Sequence, residues 1–235
     1  MIDEKNQIFN EIAKDYRDIH TENVSFTGGT SEYYAEYKIE EISSFYSPNE
    51  KLKILDLGCG DGISAVFFEK YFPNSNYLGI DLSVESLNMA RNRNLKNAVF
   101  VEYDGFNIPF ETEEFDLIFI ACVLHHVEHD KHQQLLTECN RVLSKNGSLI
   151  IFEHNQKNPF TRKVVRDCVF DEDAVLIPHK QLKKTLEKSM FNNVKTSFTL
   201  FMPRKYFFNY LLFLEKLFKK IPFGGQYYTI AKKNK

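Results

Sequence analysis

Three glycines at alternate positions, Gly58, Gly60 and Gly62, constrain this chain more than any other feature. They close a short apolar run, Lys53-Ile54-Leu55-Asp56-Leu57, and precede a helical pattern that opens at Ile63 and carries Ala65, Val66, Phe67 and Phe68. The order is strand, glycine turn, helix. Glycine takes dihedrals that a Cβ forbids, and it lets a ligand approach bare backbone. The helix start adds unpaired N–H groups and a positive dipole end, a setting for a carboxylate or phosphate. A second strand pattern, Tyr77-Leu78-Gly79-Ile80, then ends in Asp81. A carboxylate there accepts two hydroxyl hydrogen bonds, as a ribose diol requires. Taken alone, the turn also fits a tight bend with no ligand, because its Gly-x-Gly-x-Gly spacing departs from the Gly-x-Gly-x-x-Gly of nicotinamide binders.

From Leu52 onward, strand and helix patterns alternate. We read strands at 53–57, 77–81, 98–103, 115–121 and 148–153, with helices at 63–71, 84–93 (Ser83 as N-cap) and 130–143. Such alternation predicts parallel βαβ units with helices on both faces. Leu117-Ile118-Phe119-Ile120 and Leu149-Ile150-Ile151-Phe152 read as strands buried on both sides. Residues 1–48 form a mostly helical cap, interrupted by the loop Ser25-Phe26-Thr27-Gly28-Gly29-Thr30 and ended by Pro48-Asn49. After Asn155 the regularity lapses until a helix at 179–190. Strands at 194–201 and 226–231 follow, with a helix at 206–221 between them. The expectation is one α/β domain over 1–235, a Rossmann-like, seven-stranded, mostly parallel sheet. Within it, 1–48 is the cap, 50–155 a cofactor-binding core, and 156–235 a substrate-side half with an inserted helix.

Composition narrows the partners. A formal net charge of −2 gives no argument for nucleic acid. Cys59, Cys122, Cys139 and Cys168 lack CxxC spacing and read as reduced thiols of a cytoplasmic protein. The first residues lack the pattern of a signal peptide, and no apolar run approaches the roughly 20 residues that span a bilayer.

Several stretches together resemble class I S-adenosylmethionine-dependent methyltransferases of the small-molecule branch (methyltransferase-11/12-like). Leu55-Asp56-Leu57-Gly58-Cys59-Gly60-Asp61-Gly62 is similar to their first motif, and Gly79-Ile80-Asp81-Leu82-Ser83 to their second. Tyr103 to Phe110 is similar to the third. Phe115 to Val127 and Arg141 to Leu149 resemble the fourth- and fifth-strand region, and Phe9 to Tyr16 resembles the cap helix. The resemblance implies S-adenosylmethionine as cofactor and these roles. The backbone of Gly58, Cys59 and Gly60 meets the methionine part, with Asp56 near its ammonium. Asp81 takes the ribose hydroxyls, and Leu82 packs on adenine. Asp104 accepts from the adenine amine beside Gly105 or Phe106, with a turn residue as the plainer reading. Ala121 and Cys122 line the floor. Tyr16 either closes over the methionine end or belongs to the cap-helix core.

His125 and His126 follow the fourth strand, at the sheet edge where ligands sit. Methyl transfer needs a base only for a hydroxyl or ammonium acceptor, and each histidine is either that base or a wall of the pocket. His129 and His132 are expected on the exposed side of the next helix. The cluster His125, His126, Glu128, His129, Asp130 does not bring three ligands to one point, so no metal is expected from it. Asn158-Pro159-Phe160 reads as a loop turn. Arg162 and Arg166 either meet an anionic acceptor or pair with Asp171 to Asp173. The helix at 206–221 carries Asn209, Lys216 and Lys220 on a polar stripe, with Phe207, Phe208, Leu211, Leu214 and Leu217 on the apolar side. It is either a lid or a peripheral contact with a membrane or lipid acceptor.

The reading is an enzyme that moves a methyl group to a small-molecule or lipid- or sugar-linked acceptor. The alternatives are a nicotinamide-dependent oxidoreductase and a non-catalytic cofactor-binding module of the same fold. A nucleic-acid substrate is not expected.

Overall fold

The computed structural model describes residues 7, 9–11, 13–47, 49–172, 174–203 and 215–233. The cap contributes α1 (Tyr16–Val24), a 3-10 turn at Ser25–Thr27 and α2 (Ser31–Ser43). Gly28 turns the chain between them at φ +82, and the Thr30 side chain accepts from Tyr33 N to start α2. Then come β1 (Lys53–Leu57), α3 (Ile63–Tyr71), β2 (Asn76–Asp81), α4 (Val84–Arg91), β3 (Ala98–Glu102) and β4 (Phe115–Ala121). A 3-10 turn at Leu124–His126 leads to α5 (His132–Val142) and β5 (Leu143–His154). The second half has α6 (Pro159–Asp167), a 3-10 turn at Val169–Asp171, α7 (His179–Lys188), β6 (Phe191–Thr199), α8 (Glu215–Phe218) and β7 (Gln226–Lys233).

The seven strands form one sheet in the order β3-β2-β1-β4-β5-β7-β6. The first five run parallel, and β7 runs antiparallel to both β5 and β6. Side chains alternate across a strand, so each central strand feeds two cores. Leu55, Leu57, Ile118, Ile120, Leu149 and Ile151 meet Leu135 and Leu136 of α5 and Leu182 and Leu186 of α7 on one face. Ile54, Leu117, Phe119, Ile150 and Phe152 meet Ile39 and Ile42 of α2 and Ala65 and Phe68 of α3 on the other. The strand order reverses between β1 and β4, which opens a crevice beyond their carboxyl ends. Among the described residues, no helix is long and apolar enough to cross a membrane.

Three stretches differ from the sequence reading. β5 starts at Leu143 rather than 148, because its register against β4 shifts: Phe115 pairs with Leu143, then Leu117 with Ser148. Asn158-Pro159-Phe160 begins a helix rather than a loop turn. The Asn158 side chain accepts from Phe160 N (2.9 Å) and Thr161 N (3.1 Å), with Pro159 in the first turn where no N–H is needed. Asn158 Nδ2 also donates to Phe223 O at 2.7 Å, tying α6 to the loop before β7. Asn158→Ala is therefore expected to lower unfolding free energy by about 1–2 kcal/mol, read from the urea midpoint. Of the expected helix at 206–221, residues 206–214 lie outside the described residues. Its last part is α8, held to α2 by Tyr37 Oη donating to Glu215 Oε2 at 3.3 Å. Lys219, near the expected polar stripe, pairs with Glu41.

Candidate active site

A cavity of about 650 Å³ lies beyond the carboxyl ends of β1, β2, β4 and β5 and under α1. Tyr16, Asp56, Gly58, Cys59, Gly60, Asp81, Leu82, Gly105, Phe106, Ala121, Cys122, His125 and His126 all line it. Gly58 sits at φ +77, and a Cβ there would lie 2.5 Å from Val123 Cγ2. Gly60 sits at φ +53 with open space where its Cβ would be. The turn is therefore closed on its protein side and bare on its cavity side.

Asp81 holds this turn. Its Oδ2 accepts from Gly60 N at 2.8 Å and its Oδ1 from Ser83 N at 2.9 Å. Burial pushes its carboxyl upward against those donors. Ser83 caps α4 as expected, its side chain accepting from Ser86 N. Asp56 is buried beneath the turn. Burial raises its pKa to about 7, although Tyr77 Oη donates to Oδ2 at 2.5 Å.

Asp104, expected at the adenine or as a turn residue, makes turn bonds here. It is exposed and absent from the cavity wall. Its Oδ1 accepts from Phe106 N (2.9 Å) and Asn107 N (2.7 Å), and Asn107 Nδ2 donates to Oδ2 at 2.5 Å. A short carboxylate beside a glycine bonds its own turn in preference to a distant ligand.

The cap is clasped to the glycine turn. Arg17 Nε on α1 reaches both Asp61 carboxylate oxygens at 3.1 Å, and Arg93 Nη2 reaches Oδ2 at 2.5 Å. Burial would raise the Asp61 carboxyl, but the two guanidiniums outweigh it and hold it low. Arg17 Nη1 also donates to Ser31 Oγ at 2.8 Å, where His20 Nδ1 meets the same oxygen at 2.9 Å. The Tyr16 ring stacks on His20, and burial raises its phenol pKa. Phe9 puts its ring edge-on to His126 at 5.5 Å.

The other end of the cavity is polar. The His125 ring lies 4.2 Å from that of His126 and 5.1 Å from that of His154, centroid to centroid. Glu153, fully buried on β5, accepts from His125 Nδ1 at 2.7 Å and from Leu124 N at 2.9 Å. Asp171 Oδ1 stands 3.4 Å from both His125 Nε2 and His126 Nε2. Burial would lower the His125 pKa, yet the two carboxylates raise it well above the usual value. Burial and the charge on His125 push His154 down to about 4. Lys38 also lines the cavity; burial lowers its pKa, and Nζ donates to Tyr34 O at 3.3 Å.

His132 is buried rather than exposed, with Nε2 2.9 Å from both Leu124 O and Val127 O, so it braces the turn that carries His125. His129 stays exposed and meets Gln181 at 3.2 Å. Arg162 and Arg166 point to solvent. Arg166 pairs with Asp167, and Asp173, one of the expected partners, lies outside the described residues. Sequence reasoning missed Arg17, Asp61, Glu153, His154 and Asp171 as parts of the site. Glu153 and His154 did carry a signal: they are polar residues at the carboxyl end of a buried strand.

Residues 55–151 match the family model described as a methyltransferase domain. The chain is 34% identical to the demethylmenaquinone methyltransferase of Thermotoga maritima over 48% of each protein. It is 31% identical to a ubiquinone/menaquinone biosynthesis C-methyltransferase of Campylobacter jejuni, over 64% of this chain and 63% of that protein. The chain thus spans between 48% and 63% of the length of these relatives. A solved SAM-dependent methyltransferase of T. maritima superposes with a TM-score of 0.69 at 18% identity, covering 98% of this chain and 100% of that one. The Haemonchus contortus phosphoethanolamine N-methyltransferase 2, solved with S-adenosyl-L-methionine, has a TM-score of 0.65 at 16% identity, covering 97% of this chain and 60% of that one. The matched segment lies within a whole-chain fold shared with these solved structures.

Proposed function

We propose that the protein is an S-adenosylmethionine-dependent methyltransferase acting on a small-molecule acceptor. One observation carries the reading: Asp81, at the end of β2, faces the cavity while fixing the backbone of Gly60 beside it. The bare cavity side of Gly60 and the buried carboxyl of Asp56 suit a charged amino-acid moiety. When bound, the cofactor would supply a methyl group on a sulfonium for in-line transfer to the acceptor, the C–S electron pair staying on sulfur.

The chain's residues do the rest. Gly58, Cys59, Gly60 and Asp56 hold the methionine end, and Asp81 accepts from the ribose hydroxyls. Leu82, Gly105 and Phe106 flank the base. Ala121, Cys122 and Tyr16 line the space beside the sulfur, where alignment and exclusion of water supply most of the rate. His125 is gripped between Glu153 and Asp171, so a proton from a hydroxyl or ammonium acceptor goes to His126. The cap over 1–48 covers the donor, and 156–235 shapes the acceptor side.

Calorimetry tests this directly. Heat is expected on titration with S-adenosylmethionine and with S-adenosylhomocysteine, and none with NADH. Zero heat with both of the first two overturns the reading. Donor affinity should also depend on pH. Asp56 must be ionised to meet the donor's ammonium, and its pKa without ligand is about 7. Affinity is then expected to rise with pH up to about 7, falling about tenfold per unit below it. Asp56→Asn should flatten that profile.

The absence of disulfides among the four cysteines supports a reducing compartment, the cytoplasm. Exposed Leu217, Ile221 and Phe223 support peripheral contact of residues 203–224 with a membrane that presents a lipid-linked acceptor. Co-sedimentation with anionic liposomes is the check, and full recovery in the supernatant removes that proposal.

A further inference from the structure

We propose that His125, His154 and Asp171 form a site for a divalent transition-metal ion such as Zn2+, placed to hold the hydroxyl oxygen of the acceptor. The inference rests on the methyltransferase reading for its chemistry, but not for the ion itself. One ligand atom from each residue lies within 4.8 Å of the others, and all three residues line the cavity. They come from three separate elements: the turn after β4, the end of β5, and the turn after α6.

One distance between proposed ligands fits a metal centre, that from Asp171 to His125. Asp171 Oδ1 is 3.4 Å from His125 Nε2 and equally far from His126 Nε2. That exceeds the usual N–H···O range of about 2.7–3.2 Å. It matches the ligand–ligand edge of a tetrahedral centre with bonds of about 2.1 Å, which is about 3.4 Å.

The supporting shell is already built. Glu153, itself buried, takes the Nδ1 proton of His125 at 2.7 Å and so presents Nε2 to the site. A carboxylate behind a ligating imidazole fixes its tautomer and raises its basicity. Two imidazoles and one carboxylate favour Zn2+ and its first-row neighbours over Mg2+ or Ca2+, which prefer oxygen. Three protein ligands leave a position open, and here that position faces the cavity.

The ion makes the acceptor an oxygen nucleophile. With the hydroxyl on the ion, its O–H bond breaks and the proton passes to His126 and on to water. The oxygen's electron pair forms the bond to the methyl carbon. The carbon–sulfur bond breaks, and its electron pair stays on sulfur to give S-adenosylhomocysteine. The ion's charge is unchanged throughout, and no oxidant or reductant is consumed.

The test uses the full chain after dialysis against chelator. Titration with Zn2+ should show one ion per chain, and Co2+ should give a visible absorption band of a low-symmetry nitrogen–oxygen site. His154→Ala and Asp171→Asn should each weaken Zn2+ binding at least about 100-fold while S-adenosylhomocysteine binds as in the parent, which shows that they fold. Glu153→Gln should weaken it about 10- to 100-fold. The site is overturned if the parent takes up no ion, or if both ligand variants bind Zn2+ as tightly as the parent does. Should a variant fail to fold, the Co2+ spectrum of the parent decides. Zn2+ binding without S-adenosylhomocysteine binding leaves the site standing and removes the donor reading. The reverse result removes only the site.

Discussion

Asp81→Ala is expected to weaken S-adenosylhomocysteine binding by about 100- to 1,000-fold. Two ribose hydroxyls donating to one ionised carboxylate contribute about 3–4 kcal/mol together, and each 1.4 kcal/mol is tenfold in affinity. Removal of Oδ2 also frees Gly60 N–H, so the glycine turn loses its tether beside the cavity. Calorimetry on the variant measures the loss. Asp81→Asn separates the two effects: the amide oxygen still accepts from one backbone N–H, while the charge that favours the diol is gone. Because burial raises the Asp81 pKa, the ionised group is under desolvation stress, and asparagine should leave the melting temperature level or raise it. A normal affinity in both variants means that the diol is held elsewhere.

The second large effect concerns folding. Glu153→Ala is expected to destabilise the protein by about 3–5 kcal/mol, because it strands the buried His125 ring and the Leu124 N–H together. For a chain of this size that is a fall in melting temperature of about 10 °C. Differential scanning calorimetry reads it. Glu153→Gln keeps the acceptor for Leu124 N and should lose less. An unchanged midpoint in Glu153→Ala shows that water replaces the carboxylate and that the pair contributes little.

Much of the architecture was legible because it rests on short-range patterning. Continuous apolar runs such as Leu117 to Ile120 fit only strands covered on both faces, and a glycine turn between strand and helix fixes the carboxyl edge as the ligand edge. The positions of Gly58, Gly60, Asp56 and Asp81 follow from that edge. What stayed hidden depends on contacts distant in sequence. Arg17 meets Asp61 across 44 positions, and His125 meets Glu153 across 28. No periodicity encodes such pairs. The bonds of Asp104 are local instead, to partners two and three residues away, as its plainer reading as a turn residue expected. The helix at α6 was missed because Pro159 resembles a breaker, although proline suits a first turn and Asn158 supplies the cap.

The place of β7 has a consequence for synthesis. It comes after β6 in the chain yet lies inside the sheet, as the one strand paired with β6 among the described residues and the outer neighbour of β5. As the polypeptide leaves the ribosome, one flank of Leu149 to Phe152 stays unclaimed until residues 226–233 emerge. A nascent chain stalled before that point presents a sticky ribbon to chaperones. A stop codon between β6 and β7 would yield an aggregate rather than a shortened folded protein.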